Sequence, residues 1–148
     1  KFKYAKLRFL CQTLNEIVTT RSHLKPIVQD VDIIVPVPLH WLKKFHRGFN
    51  QSELLSRGIQ NHFSKPVSAR NLCRIRNTVS QTYLSKTKRR ENVHNAFTVK
   101  RPGLFAGKSI LLVDDVLTTG VTASECARKL KEAGAGRVHL VVLAIAEH

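Results

Sequence analysis

Ser109-Ile110-Leu111-Leu112-Val113-Asp114-Asp115-Val116-Leu117-Thr118-Thr119-Gly120-Val121-Thr122 sets an apolar run, two acids, a hydroxyl-rich turn and the start of a helical pattern end to end. Residues 109–113 are apolar enough to be covered on both faces, as a central strand of a parallel sheet is. From 122 to 133, Ala123, Cys126, Ala127, Leu130 and Ala133 recur at helical spacing; Gly134 and Gly136 close the helix, and 138–144 is a second continuous apolar run. Strand, helix and strand with short connections make a right-handed parallel unit. The predicted class is therefore α/β, a mostly parallel twisted sheet flanked by helices on both faces.

The same stretch carries chemistry. In open α/β sheets ligands sit beyond the carboxyl ends of the strands, where Asp114 and Asp115 fall. A turn of Thr118, Thr119 and Gly120 leading through Val121 to Thr122 offers backbone amides, hydroxyl donors and the positive end of a helix dipole, which suits a monophosphate. Gly120 lets the backbone turn and approach an anion closely. Two carboxylates beside such a cradle repel phosphate, so they face hydroxyls or a cation, and a sugar phosphate meets both demands. A plain strand-to-helix turn with solvated acids is the bland alternative. A phosphate-accepting receiver fails on position, because only 33 residues follow Asp115. A nucleoside-triphosphate P-loop fails because its glycine-lysine signature is absent.

Upstream, residues 4–20 place Ala5, Leu7, Leu10, Cys11, Leu14, Ile17 and Val18 on one helical stripe. Residues 31–35 form a β-branched run stopped by Pro36-Val37-Pro38, as in a buried strand that ends in a loop. A helix starts after Asn50 and runs to about Phe63. Asn50 can cap the amide of Glu53, Glu53 can reach back to the amide of Asn50, and Phe49 can staple onto Leu54. Residues 69–76 alternate weakly and read as a strand. Residues 77–87 carry little apolar material and read as a mobile loop. A short helix over 88–94, a short strand over 96–99 and a turn at Pro102-Gly103 complete the pattern.

The 148 residues suit one domain, 1–148, and 43% hydrophobic with 24% charged residues excludes a disordered or fibrous chain. No run reaches the ~18 apolar residues of a membrane span, and no signal-peptide core follows Lys1 to Arg8, so a soluble, cytoplasmic protein without membrane insertion is expected. The chain opens at Lys1 without methionine, inside a helical pattern, so a missing upstream segment is expected. Cys11, Cys73 and Cys126 show neither disulfide nor zinc spacing, and the seven His residues show no metal-ligand spacing. Residues 1–101 hold 20 basic and 5 acidic side chains, whereas 102–148 hold 5 of each. A field so placed attracts the phosphates of a nucleic acid or of a phosphorylated small molecule, or simply solvates the surface.

The stretch 113–122 closely resembles the 5-phosphoribosyl-1-diphosphate (PRPP) binding motif of type I phosphoribosyltransferases. Val35-Pro36-Val37-Pro38-Leu39-His40 with Arg47-Gly48-Phe49-Asn50-Gln51, and Gln81 with Leu84, Arg89, Arg90, Asn92, Val93, Ala96 and Phe97, resemble the ComF family of competence-associated phosphoribosyltransferase-like proteins. The resemblance covers nearly the whole chain. It does not extend to the cysteine-rich, zinc-binding segment that family members commonly carry at the N-terminus.

The resemblance implies a type I phosphoribosyltransferase fold, with Asp114 and Asp115 on the ribose hydroxyls of PRPP and Thr118, Thr119, Gly120, Val121 and Thr122 on its 5-phosphate. It implies displacement of pyrophosphate at the anomeric carbon through an oxocarbenium-like state. Mg2+ would chelate pyrophosphate and ribose oxygens, with Asp114 and Asp115 holding it through water. Lys43, Lys44, Arg47, Lys86, Lys88, Arg89 and Arg90 are the candidates for the leaving pyrophosphate, and the loop over 77–87 for a closing flap. The acceptor is not legible. The family connection further implies a part in DNA uptake and natural transformation. The rival reading is a single-stranded DNA binding or competence-machinery module whose PRPP site is regulatory or vestigial, with Trp41 and Tyr83 placed to stack on bases. Competence-machinery proteins and a second copy of the chain, as a homo-oligomer, are the other partners considered.

Overall fold

The computed structural model describes residues 16, 24–40, 42, 45–46, 48–77 and 86–146, with the backbone alone at 86, 89 and 90. The apolar stripe over 4–20, apart from Glu16, and the central part of the expected loop over 77–87 lie outside these residues.

A short helix α1 (Leu24–Asp30) delivers the chain to strand β1 (Ile33–Pro36), which is followed by helix α2 (Gln51–Phe63). Strand β2 (Leu72–Arg74), helix α3 (Lys86–Val93) and strand β3 (Phe97–Val99) come next. A 3-10 turn at Pro102–Leu104 leads to strand β4 (Ser109–Leu117), helix α4 (Val121–Glu132) and strand β5 (Arg137–Ile145).

The parallel sheet has the order β1-β4-β5, so β4 is central as its composition required. Ile33 pairs with Ile110 and Pro36 with Val113; Ser109 pairs with Arg137 and Leu117 with Ile145. Pro36 donates no amide, yet pairing continues past it because the Val37 N–H donates to the Val113 carbonyl at 2.8 Å. At the opposite end of the pair the Asp32 carboxylate accepts the Ser109 N–H at 2.8 Å. Val67 forms an isolated parallel bridge with Ile34 on the outer side of β1.

Alternation along β4 sorts its side chains into two cores. Ile110 and Leu112 pack with Phe97, Phe105, Cys126 and Leu130 on the α4 side. Leu111 and Val113 pack with Val28, Ile34, Leu55 and Ile59 on the side of α1 and α2. Helices thus cover both faces, as expected. The strand over 138–144 is confirmed and extends one residue at each end. It is an edge strand, and its apolar side chains are less deeply buried than those of β4.

The weakly alternating segment 69–76 contains a strand of only three residues, which lies outside the parallel sheet. β2 pairs antiparallel with β3, Cys73 opposite Thr98 and Arg74 opposite Phe97. Asn71 closes this pair at its base. Its buried side chain accepts the Arg101 N–H at 2.7 Å and donates to the Arg101 carbonyl at 3.0 Å, while its own carbonyl accepts the Lys100 N–H at 2.9 Å. Gly136 is required by proximity, since a Cβ there would sit 3.1 Å from the Gly107 carbonyl oxygen. Cys73 is half-buried and Cys126 buried; both are free thiols.

Replacing Asn71 by Ala removes two side-chain hydrogen bonds at this base and is expected to destabilise the fold by about 1–3 kcal/mol. Urea unfolding should report the loss, and an unchanged midpoint would show that the β2–β3 pair closes without Asn71.

Candidate functional site

β1 and β4 are neighbours, yet the chain leaves them in opposite directions. From β1 it passes through α2 to Val67 on the outer side, and from β4 through α4 to β5 on the other. The carboxyl ends of the two strands therefore open a crevice that no crossover covers, the position at which open α/β sheets take ligands. A cleft of about 160 Å³ lies there, walled by residues 37–39 after β1, by Asn50, Gln51 and Ser52 at the start of α2, and by Asp114, Asp115, Val116, Leu117, Thr118, Gly120 and Thr122.

The strand does not stop before the acids. β4 continues through Asp114, Asp115 and Val116 to Leu117, because its ladder with β5 persists, Asp114 opposite Val142 and Leu117 opposite Ile145. The two carboxylates stand on regular, paired backbone. Asp114 Oδ1 accepts the Ser52 hydroxyl at 3.0 Å and the Asp115 N–H at 3.0 Å, and Asp115 Oδ1 accepts the Val116 N–H at 2.9 Å. Burial pushes the Asp114 carboxyl up to about 6; the Ser52 hydrogen bond opposes this, and the neighbouring Asp115 charge adds to it.

Asn50 contributes more than a helix cap. Its side-chain oxygen accepts the N–H of Ser52 at 3.1 Å, rather than that of Glu53 as expected, and its Nδ2 donates to the Val37 carbonyl at 3.0 Å. The first turn of α2 is thereby tied to the loop after β1, and Ser52 is held against Asp114. Asn50 and Ser52 are both buried. Ser52 was not visible as a site residue in the sequence; its only signal was its place directly after Arg47-Gly48-Phe49-Asn50-Gln51.

Gly120 takes φ +73°, a left-handed conformation that side chains disfavour, and begins α4 with no side-chain cap on the helix. Its carbonyl accepts the Ser124 N–H at 2.8 Å, closing the first helical turn. The five turn residues divide between two spaces. Thr118, Gly120 and Thr122 line the cleft with the acids. Thr119, Gly120 and Val121 border a second cavity of about 590 Å³, between the starts of α4 and the end of α3, that also touches His94, Glu125 and Arg128. Thr119 Oγ1 is buried there without a hydrogen-bond partner. Glu125 accepts the Asn95 N–H at 2.8 Å and is bound by Arg128, which also bonds Asn95 and Glu132. The Arg128 contact holds the Glu125 carboxyl below its usual range.

Of the basic candidates, Lys43, Lys44 and Arg47 lie outside the described residues, as do the side chains of Lys86, Arg89 and Arg90 and the whole of Trp41 and Tyr83. Lys88 is exposed on α3 and lines neither space. Among the described residues the cation that lines the cleft is Arg74, at the end of β2, which the sequence does not single out. Among the described residues no group of three or more His, Cys, Asp or Glu side chains is arranged to hold a metal ion. Nor is any helix among them long and apolar enough to cross a membrane.

A family model for the phosphoribosyl transferase domain matches residues 55–148. Among curated proteins, competence protein F of Haemophilus influenzae is 34% identical over 114 residues, covering 76% of this chain and 50% of that protein. DNA utilization protein YhgH of Escherichia coli K12 is 38% identical over 109 residues, 74% of this chain and 47% of that protein. Competence protein ComFC of Bacillus subtilis is 34% identical over 104 residues, 69% and 39% respectively. The chain thus spans half or less of the length of these relatives, which agree with the ComF resemblance. Among solved structures, glutamine phosphoribosylpyrophosphate amidotransferase from B. subtilis superposes with a TM-score of 0.58 at 20% identity, over 90% of this chain and 26% of that one. Adenine phosphoribosyltransferase from Thermoanaerobacter pseudethanolicus gives 0.53 at 16%, over 97% and 71%. These likenesses establish the type I phosphoribosyltransferase fold.

The raised Asp114 pKa has a stability consequence. Between the ordinary 3.8 and about 6 the folded chain holds a proton that the unfolded chain has lost, so stability from this group falls as pH rises through that window. Above it the ionised carboxylate costs about 2–3 kcal/mol. Asp114→Asn is therefore expected to be more stable than the parent at pH 7.5, with the gap narrowing toward pH 4. Urea melts across that range check it, and parallel curves for the two proteins would contradict it.

Proposed function

The chain belongs to the phosphoribosyl transferase domain family, and from that premise we propose that its cleft binds PRPP and that the protein transfers the 5-phosphoribosyl group to an acceptor, releasing pyrophosphate. The observation that carries this reading is the juxtaposition, at the fork between β1 and β4, of two strand-borne carboxylates and a glycine-started helix without a side-chain cap. A sugar phosphate is the ligand whose two ends differ in the way this cleft does.

In this reading the 5-phosphate sits against the amides of Thr118 to Thr122, with the helix dipole and hydroxyls opposing its charge. The carboxylates of Asp114 and Asp115 accept the ribose hydroxyls. Breaking the bond from the anomeric carbon to pyrophosphate leaves positive charge on the ribose ring, and two nearby carboxylates lower the energy of that state. Ser52 keeps Asp114 turned to the ring, since a carboxylate already oriented by a hydroxyl and an amide needs no reorganisation as charge develops. Walls of Val37, Pro38 and Val116 limit water at the reacting carbon.

Two carboxylates without further protein donors suit Mg2+, which keeps several waters and shares its shell with substrate phosphates instead of occupying an all-protein cage. Asp114 and Asp115 would hold it, and it would neutralise the departing pyrophosphate. By the resemblance Lys43, Lys44, Arg47, Lys86, Lys88 and Arg89 stay the candidates for the pyrophosphate, with Lys88 standing outside the cleft wall. The names of the relatives, competence protein and DNA utilization protein, support a place for this activity in the handling of DNA.

Calorimetric titration with PRPP in the presence and absence of Mg2+ tests the assignment. Asp115→Asn is expected to lower Mg2+-dependent PRPP affinity at least tenfold. Gly120→Ala, forced to hold φ +73° with a side chain, should cost about 1 kcal/mol of stability and weaken PRPP and ribose 5-phosphate alike. Undiminished PRPP affinity in Asp115→Asn would remove the acids from the site.

A further inference from the structure

Val37, Asn50, Ser52 and Asp114 close a circuit of hydrogen bonds across the fork between β1 and β4. The Val37 N–H donates to the Val113 carbonyl at 2.8 Å, and the Val37 carbonyl accepts Asn50 Nδ2 at 3.0 Å. Asn50 Oδ1 accepts the Ser52 N–H at 3.1 Å, and the Ser52 hydroxyl donates to Asp114 Oδ1 at 3.0 Å. The path leaves β4 at the backbone of Val113 and returns to it at the next side chain, having crossed to the loop after β1 and to the start of α2. Val37, Asn50 and Ser52 are all buried, so water has little access to compete for these bonds.

The residue types in the circuit follow from what each must do. A cap on the first turn of α2 needs only an acceptor, and Asn, Asp and Ser serve about equally well. The Val37 carbonyl needs a donor at the same place, and a carboxamide offers both from one side-chain end. Ser52 is gripped at both of its backbone groups: Asn50 takes its N–H, and the buried Ser56 hydroxyl donates to its carbonyl at 2.8 Å. Of the two bonds on Asp114 Oδ1, the Asp115 N–H comes from the adjoining residue, whereas the Ser52 hydroxyl is fixed by this circuit. Both fall on one oxygen, so the second carries neither. The orientation of the Asp114 carboxylate is thus set from the opposite wall of the cleft, and Asn50 is where that wall is joined to the loop after β1.

We infer that Asn50 is a positioning residue that makes the cleft select sugar phosphates by their hydroxyls, acting through Ser52 on the aim of Asp114. The inference rests on the reading of the acids as the ribose side of the PRPP cleft and adds the device that gives them their selectivity. A carboxylate held in one orientation forms a full hydrogen bond with a hydroxyl at a fixed place and is left unpaired beside a ligand that lacks one. Released from Ser52, the same carboxylate turns, and the difference between the two ligands narrows. The 5-phosphate, held by the turn of Thr118 to Thr122, is indifferent to the change.

The test is calorimetric titration with ribose 5-phosphate and with tetrahydrofurfuryl phosphate, which keeps the ring and the phosphate and lacks the hydroxyls. It compares the parent chain, Asn50→Ser, Ser52→Ala and the double variant. Asn50→Ser keeps a helix cap and loses the bond to Val37. The parent should favour ribose 5-phosphate about tenfold or more. Asn50→Ser should shrink that preference to about threefold or less, with its affinity for tetrahydrofurfuryl phosphate within about twofold of the parent. Ser52→Ala should shrink it as far and the double variant no further, because the two residues act in series. Should Asn50→Ser fail to fold, Asn50→Asp, which also caps, takes its place with the same expectation. A preference kept by the Asn50 variant, or a double variant whose loss is the product of the two single fold-losses, would overturn the inference. So would equal losses for both ligands, the mark of a general collapse of the cleft. A parent chain that binds the two ligands equally would instead defeat the reading of the acids as the ribose side, and the inference with it.

Discussion

The parallel pairing of β1 with β4, with the chain departing from them to opposite sides, is the constraint on which the rest of the site depends. It leaves the carboxyl ends of two strands uncovered by any crossover, so residues just beyond β1 and at the end of β4 face one another across a gap. The apolar sequence of β4 enforces this placement. Ile110 and Leu112 must be buried on one face and Leu111 and Val113 on the other, and that requires helices on both sides and a neighbour at each edge. A strand so thoroughly committed cannot slip in register without exposing a whole face. The acids that follow it inherit that fixed position.

Holding carboxylates there is costly, and the surroundings show how the cost is partly offset. Asp114 receives a hydroxyl from Ser52 and an amide from Asp115, while Asn50 binds the α2 start to the loop after β1. The Asp115 amide is local, whereas the Ser52 hydroxyl reaches Asp114 from 62 residues away and Asn50 reaches Val37 across 13. Even so, burial dominates and the Asp114 carboxyl remains well above its ordinary pKa. Groups held against their solvation preference in a cleft are characteristic of sites that bind or react, because a structural role would be filled more favourably by an apolar residue. The left-handed Gly120 is a second local concession in the same place.

How much of this was legible from residues alone follows from which forces are local. The β4–α4–β5 unit was readable because continuous apolar runs and a 3.6-residue repeat are properties of the chain itself, and its helix was placed to within one residue at each end. The strand's persistence to Leu117 was not. Aspartates are poor strand formers, and here pairing with β5 overrides local preference. Asn50 is legible as a cap, but its bond to Val37 and the consequent seating of Ser52 depend on tertiary approach. The weak alternation over 69–76 indicates a strand but not that β2 and β3 stand apart from the parallel sheet. The division of the turn between two spaces, with Thr119 and Val121 facing away from the acids, was likewise invisible, since a turn's sequence does not say which side each residue takes.

The position of Arg74 extends the same reasoning to electrostatics. By charge count the upstream segment contains many cations, and sequence reasoning naturally favours runs such as Lys86-Thr87-Lys88-Arg89-Arg90. A run of cations maximises the field at long range, and solvated charges in general are screened beyond about a Debye length, ~8–10 Å at ordinary ionic strength. A single desolvated guanidinium held on an aromatic ring contributes little to net charge and far more to the energy of an anion beside it, since the effective dielectric is lower and no reorganisation is needed. The charge that sets the field at long range and the charge inside the cleft thus belong to different residues. The cleft wall carries both signs of charge, because the antiparallel pair places Arg74, lying over the Phe97 ring, on the same wall as the acids carried by the parallel sheet.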